Sequence, residues 1–272
     1  MLSIGAVRSS MAAASYFAKD NYYARHDEGP SQWFGAAALR LGLQGEVGAE
    51  RFKQLLEGHI DPDTQLGRIV AGERQHRHGW DLTFSAPKSV SLAALVGGDE
   101  RLIQAHDQAV REVLSWLEDQ AIVTRSRENG IVAEQDGQGM VAAVFRHDLS
   151  RAGEPQLHSH AVVMNATSSS EVHWTSVNPI HLYTHAKEAG ERYQQALALR
   201  AVELGYRHPM GPLKLTDLVG LVVTGQPVLA QRAVPVLRGL VVGQQAKVLL
   251  NTEARQKKCP GRRNFELQAA GG

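Results

Sequence analysis

Apolar positions along the chain follow two different periods. In "RLIQAHDQAVREVLSWLEDQ" (101–120) they recur every three or four residues, at Leu102, Ala105, Ala109, Val113 and Leu117, which predicts an amphipathic helix. "PKSVSLAALV" (87–96) predicts a second helix, with Pro87 in its first turn, after a strand-like "DLTF" (81–84). "AKEAGERYQQALALRAVEL" (186–204) predicts a third, stopped by Gly205. By contrast, "VAAVFRH" (141–147) and "LHSHAVVMN" (157–165) are rich in β-branched and apolar residues, and the "DLSRAGEPQ" between them carries the Gly and Pro of a turn. Together they predict a β-hairpin. Strand–helix and hairpin elements in this order imply an α+β domain, a central antiparallel β-sheet with flanking helices.

The length of 272 residues suits one large domain, or one domain with an appendage, and allows a core without staples. One cysteine, Cys259, excludes an internal disulfide framework and fits a reducing compartment. No run approaches the roughly 20 apolar residues of a membrane span, and "MLSIGAVRSSMAAASYF" lacks the regions of a signal peptide, so a bacterial cytoplasmic protein is expected. The net charge of +1 conceals an asymmetry. Residues 1–205 hold 19 basic and 25 acidic side chains, residues 206–272 hold 10 and 3. Bulk charge therefore gives no warrant for nucleic-acid binding, which would need a local patch. The sequence has no internal repeat and no Walker-type phosphate loop.

The hairpin carries the candidate chemistry. Residues i and i+2 of a strand share a face about 6.5–7 Å apart, whereas in a helix they diverge. An H-x-H pair can therefore chelate from a strand, and His158 and His160 lie on one. Antiparallel pairing across the loop brings His147 opposite or diagonal to His158, so that three imidazoles converge. Three neutral imidazoles leave coordination positions open for water or a phosphoryl oxygen. Coincidence is the competing reading of an isolated H-x-H in a chain with 12 histidines, and His147 brings the two readings level. A second pair, His76 and His78 in "RQHRHGW" (74–80), lies in a charged stretch without a strand pattern.

Near the N-terminus, "SYFAKDNYYARHDEG" (15–29) places Tyr16, Tyr22 and Tyr23, half of the six tyrosines, within eight residues. An unassisted phenol is only about 0.1% ionised at pH 7 and is a poor nucleophile. A metal that polarises a phosphate, with a base nearby, changes that. On spacing alone, aromatic packing at a helix end is the simpler reading.

The stretches "SYFAKDNYY", "GWDLTFSAPKSVSLAAL", "AHDQAVREVLSWLE" and "VFRHDLSRAGEPQLHSHAVVMNAT", followed by the helix leading into "ALRAVELGY", resemble in order the MobF-type conjugative relaxases, the TraI/TrwC family of HUH endonucleases. The resemblance covers residues 1–206. It implies the palm fold of HUH relaxases and rolling-circle initiators. It also implies a metal-dependent enzyme that nicks one DNA strand at a transfer origin by tyrosine attack, leaving a 5′-phosphotyrosyl link and a free 3′-hydroxyl. By the same resemblance Tyr16 is the first nucleophile, with Phe17 where the family has a second tyrosine, and Tyr22, backed by Tyr23, serves the second strand transfer. His147, His158 and His160 match the metal ligands, for Mg²⁺ or Mn²⁺, although imidazoles in general favour softer ions. Asp81 matches the acid that orients a ligand histidine and helps take the tyrosine proton. Lys88 and Arg146 are candidates for DNA-phosphate contacts, with a solvated surface role equally open. Expected partners are single-stranded DNA at a transfer origin and accessory relaxosome proteins, with the chain itself a monomer.

After Tyr206 the likeness fades. Residues 212–250, "PLKLTDLVGLVVTGQPVLAQRAVPVLRGLVVGQQAKVLL", contain one acid, Asp217, and depart from the composition of the body. Residues 207–272 thus read as a divergent basic tail, frame-disrupted or partly disordered, and no helicase domain follows. Two rival readings accompany the relaxase: a catalytically impaired remnant acting only as a DNA-binding or folded fragment, and an unrelated metal-dependent hydrolase.

Overall fold

A computed structural model of the chain describes residues 1–11, 13, 31–128, 131–170 and 173–206. Tyr16, Tyr22, Tyr23 and the basic tail lie outside the described residues. The expected α+β architecture is present. Five strands, β1 (Leu2–Val7), β2 (Ser31–Phe34), β5 (Gly79–Ser85), β8 (Ala142–Leu149) and β9 (Pro155–Met164), form one sheet in the order β1-β5-β9-β8-β2. Every neighbouring pair is antiparallel. Two smaller ribbons, β3 (Arg68–Val70) with β4 (Glu73–Gln75) and β6 (Val123–Glu128) with β7 (Ile131–Asp136), stand apart from it. The short β10 (Thr167–Ser168) and β11 (Trp174–Thr175) pair with each other.

Among the described residues five complete helices accompany the strands: α1 (Ala36–Arg40), α2 (Ala49–Leu56), α3 (Lys88–Leu95), α4 (Glu100–Ala121) and α5 (Pro179–Glu203). They divide between the two faces of the sheet. On one face Trp80, Leu82 and Phe84 of β5, Ala142 and Val144 of β8, and Leu157, Ala161 and Val163 of β9 pack against α3, α4 and α5. On the other, Ala143 and Phe145 of β8 with Val162 and Met164 of β9 pack against α1 and α2, Phe52 meeting Phe145 edge-on at 5.3 Å. Because both faces are covered, the central strands are apolar almost throughout, and the polar residues on them stand out as exceptions. β5 departs from this, since Asp81, Thr83 and Ser85 alternate with the buried Trp80, Leu82 and Phe84.

The predicted helices exist, with shifted ends. α4 begins one residue early and is capped by Asp99, whose carboxylate accepts from the Arg101 backbone N–H at 3.1 Å. Pro87 sits at the N-cap of α3, one position before the helix proper. α5 starts seven residues before the predicted Ala186, because Asn178 and Pro179 supply a cap and a first-turn proline that apolar periodicity does not register. Gly205 ends it in the left-handed region, φ +92°, a conformation that a β-carbon disfavours. Just beyond, the Tyr206 hydroxyl donates to Asp99 at 2.6 Å, tying the end of α5 to the start of α4.

A candidate metal centre on the hairpin

The β8–β9 register pairs His147 directly with His158, and Phe145 with His160. All three histidines therefore share the face that α1 and α2 partly cover, and each is buried, at 5%, 8% and 7% exposure. Their ring centroids lie 5.1–5.3 Å apart. One ring nitrogen from each falls within 4.8 Å of the others, close enough for one ion. Among the described residues this is the one such cluster of three His, Cys, Asp or Glu side chains.

Hydrogen bonds orient two of the rings. The Nδ1–H of His160 donates to Asp81, 3.0 and 2.9 Å from its two carboxylate oxygens, with the Thr83 hydroxyl 3.2 Å from the same nitrogen. Thr83 in turn donates to Asp81 at 3.4 Å. The Nδ1–H of His158 donates to the Gln156 carbonyl at 2.9 Å. In both rings Nδ1 is thereby committed and Nε2 is the atom left to bind a metal. Burial, with His160 nearby, lowers the pKa of His158 despite that bond, so its ring is neutral at pH 7, the form that ligates. The donor set thus fits a divalent ion: three imidazoles, two of them pinned from behind.

The remaining sequence candidates are placed as follows. Asp81 stands on β5 beside the triad, its partner His160 one strand away. Lys88 opens α3 and donates to Glu154 and to the Pro155 carbonyl, both at 3.0 Å, so it braces the turn between β8 and β9. Arg146 points to the opposite face from His147 and donates to Asp107 of α4 at 2.7 Å. The competing pair does not form a three-ligand site: His78 Nδ1 bonds the Leu56 carbonyl at 2.8 Å, and burial, followed by His78 and His59, pushes His76 down to about 4.

Sequence reasoning missed Thr83, though it stands two residues after Asp81 on the same strand face. It also missed His106, which interrupts the apolar stripe of α4 and is completely buried. Its Nδ1 is 2.7 Å from the Tyr193 hydroxyl and its Nε2 2.8 Å from the Ser159 hydroxyl. A histidine at a helix position that periodicity assigns to the core was the available signal.

A five-stranded antiparallel sheet with an H-x-H strand and a third histidine on its hairpin partner defines the HUH class of site. The TrwC relaxase family model matches residues 10–221, and the chain belongs to that family. It is 42% identical over 216 residues to the multifunctional conjugation protein TraI of Escherichia coli K12, an alignment covering 76% of this chain and 12% of TraI. The chain thus spans about an eighth of the length of that curated relative. Among solved structures it resembles the conjugative relaxase TrwC in complex with oriT DNA. The metal-free form gives a TM-score of 0.68 at 37% identity over 78% of this chain and 72% of that one. For the metal-bound form the values are 0.69, 38%, 78% and 73%.

Proposed function

We propose that the chain is a metal-dependent relaxase that nicks single-stranded DNA at a transfer origin through a tyrosine and so serves conjugative DNA transfer. The observation that carries the proposal is the convergence of His147, His158 and His160 with Asp81 behind His160, in a member of the TrwC relaxase family. A divalent ion held by the three imidazoles, Mg²⁺ or Mn²⁺ in the cell, would supply Lewis-acid polarisation of the scissile phosphate.

Tyr16 is the proposed nucleophile. Its phenolic oxygen bonds to phosphorus as the bond from phosphorus to the 3′ oxygen breaks, its proton passes to a base and the departing 3′ oxygen gains one. The phosphotyrosyl ester retains the energy of the phosphodiester, which lets the strand be rejoined. Tyr22, with Tyr23 behind it, is proposed for the second transfer. Asp81 holds His160 in the tautomer that exposes Nε2 and is the candidate acceptor of the tyrosine proton. Lys88, half exposed at the turn, and Arg146 are proposed DNA-phosphate contacts, Lys88 by exchanging Glu154 for a phosphate and Arg146 while still bonded to Asp107. Residues 1–206 form the catalytic domain in this reading, 207–272 a divergent basic tail, and the protein works as a monomer with accessory relaxosome proteins in the bacterial cytoplasm. Among the described residues no helix is long and apolar enough to cross a membrane.

The test is a denaturing gel of the full chain with Mn²⁺ and labelled single-stranded oligonucleotides spanning candidate transfer origins. A metal-dependent band shifted by the mass of the protein is expected. Cleavage without a covalent adduct would favour a hydrolase, and uncut substrate under saturating metal a remnant.

A further inference from the structure

His106 and Asp107 are adjacent on α4, and both reach the back of the hairpin that carries the three histidines. His106 bridges the Tyr193 hydroxyl of α5 and the Ser159 hydroxyl of β9, at 2.7 and 2.8 Å. Ser159 lies between His158 and His160 in sequence and faces the opposite side of the strand. Asp107 accepts from Arg146 at 2.7 Å, and Arg146 immediately precedes His147. Arg146 and Ser159 are themselves paired across the two strands. Each of the three histidines is thus a direct sequence neighbour of a residue fastened to α4 by a polar contact.

The His106 contacts sit in an otherwise apolar layer, and the Asp107–Arg146 pair lies at its partly exposed edge. Tyr193, His106 and Ser159 are at most 1% exposed, among Phe84, Ala109, Val110 and Leu157. Apolar packing alone would tolerate small sliding of a strand over a helix. A hydrogen-bonded chain with no water to substitute for it fixes one register. Burial holds His106 neutral, so it must donate on one side and accept on the other, and each link is directional.

The geometry points to α4 as the positioning element of the metal centre: His106 through Ser159 sets His158 and His160, and Asp107 through Arg146 sets His147. This inference rests on the proposed metal site and adds residues on the far side of the sheet, which touch neither the ion nor DNA. His106, Asp107, Ser159 and Tyr193 are accordingly positioning residues. Their loss costs ligand geometry, by less than the roughly 10–100-fold in affinity that follows loss of a partner bonded directly to a ligand.

The experiment compares four forms of the full chain by calorimetric Mn²⁺ titration and by the visible spectrum of the Co²⁺-loaded protein: wild type, Ser159→Ala, Asp107→Asn and Val110→Ala. Val110 is 1% exposed in the same layer and makes no polar link, so its truncation reports the effect of lost packing alone. We expect Ser159→Ala and Asp107→Asn each to weaken Mn²⁺ binding by a few-fold, up to about tenfold, and to alter the Co²⁺ bands, with Val110→Ala matching wild type in both. Unchanged affinity and spectrum in both polar variants would overturn the inference, as would equal weakening in Val110→Ala. The two polar variants probe separate links, so a folding failure in one leaves the other as the test. A wild-type chain that binds neither ion would reject the metal centre itself, an outcome distinct from a wild type that binds beside variants that bind equally well.

Discussion

Lowering the pH should destabilise this protein through His106 in a way that one substitution removes. The ring is fully enclosed between α4, α5 and β9. Its pKa is pushed down to about 3, chiefly by burial, with the positive charges of Arg146, His158 and the amino terminus acting in the same sense. In the unfolded chain it titrates near 6.5. Between these values the unfolded state binds a proton that the folded state refuses, so stability is fully present above about pH 6.5 and falls as the pH drops below it. For a single site with these two values, the loss between pH 8 and pH 5 comes to about 2 kcal/mol. His76 and His158 are also depressed and add to the slope of the wild type, so the comparison must be with His106→Gln, which keeps an amide donor and acceptor without a titrating ring. Urea unfolding of both proteins at pH 8 and pH 5, in chelator, gives the answer. The stability gap between wild type and His106→Gln should shrink by about 2 kcal/mol at the lower pH. A gap of the same size at both pH values would refute the neutral, buried assignment of His106.

Asp81→Asn should weaken Mn²⁺ binding by roughly 10–100-fold, because the amide no longer enforces the His160 tautomer; unchanged affinity in a calorimetric titration would remove Asp81 from the metal centre. Leu114→Ala, in the layer between α4 and the sheet, should cost roughly 2–5 kcal/mol on chemical denaturation, and a cost under about 1 kcal/mol would mean that this layer is loosely packed. Tyr206→Phe removes the donor to the buried Asp99 and should cost about 1.5–3 kcal/mol, measured the same way. A neutral result there would show that the junction of α4 and α5 does not depend on that bond.

The hairpin was the most legible part of the chain. β8 and β9 are neighbours inside the sheet, their sequences are largely apolar, and the Gly and Pro between them mark the turn, so the pairing followed from pattern, while the meeting of three histidines stood level with coincidence until the resemblance was added. β1 and β2 gave little signal. They are edge strands, short or half exposed, without the long apolar runs of the central pair. The β3–β4 ribbon is largely polar and exposed and is held at its tip by Ala71 and Gly72 at positive φ. Within the site, His147, His158, His160 and Asp81 were readable from spacing and resemblance. The supports behind them were not, because Ser159, His106 and Tyr193 come from three elements joined only by the packing of α4 and α5 on β9. Arg146 shows the same limit from the other side: next to a ligand histidine in sequence, it faces Asp107 on the far side of the sheet.

Peptide mapping of the adduct decides whether Tyr16, as proposed, carries the DNA strand. Trypsin separates the candidate tyrosines, since residues 9–19, "SSMAAASYFAK", hold Tyr16 alone and residues 20–25, "DNYYAR", hold Tyr22 and Tyr23. The full chain would be incubated with Mn²⁺ and a single-stranded transfer-origin oligonucleotide, digested with trypsin and nuclease, and analysed by mass spectrometry for phosphonucleotide-bearing peptides. The first-cleavage adduct is expected on the 9–19 peptide and is expected to be lost in Tyr16→Phe. An adduct confined to the 20–25 peptide, or an undiminished yield from Tyr16→Phe, would contradict it.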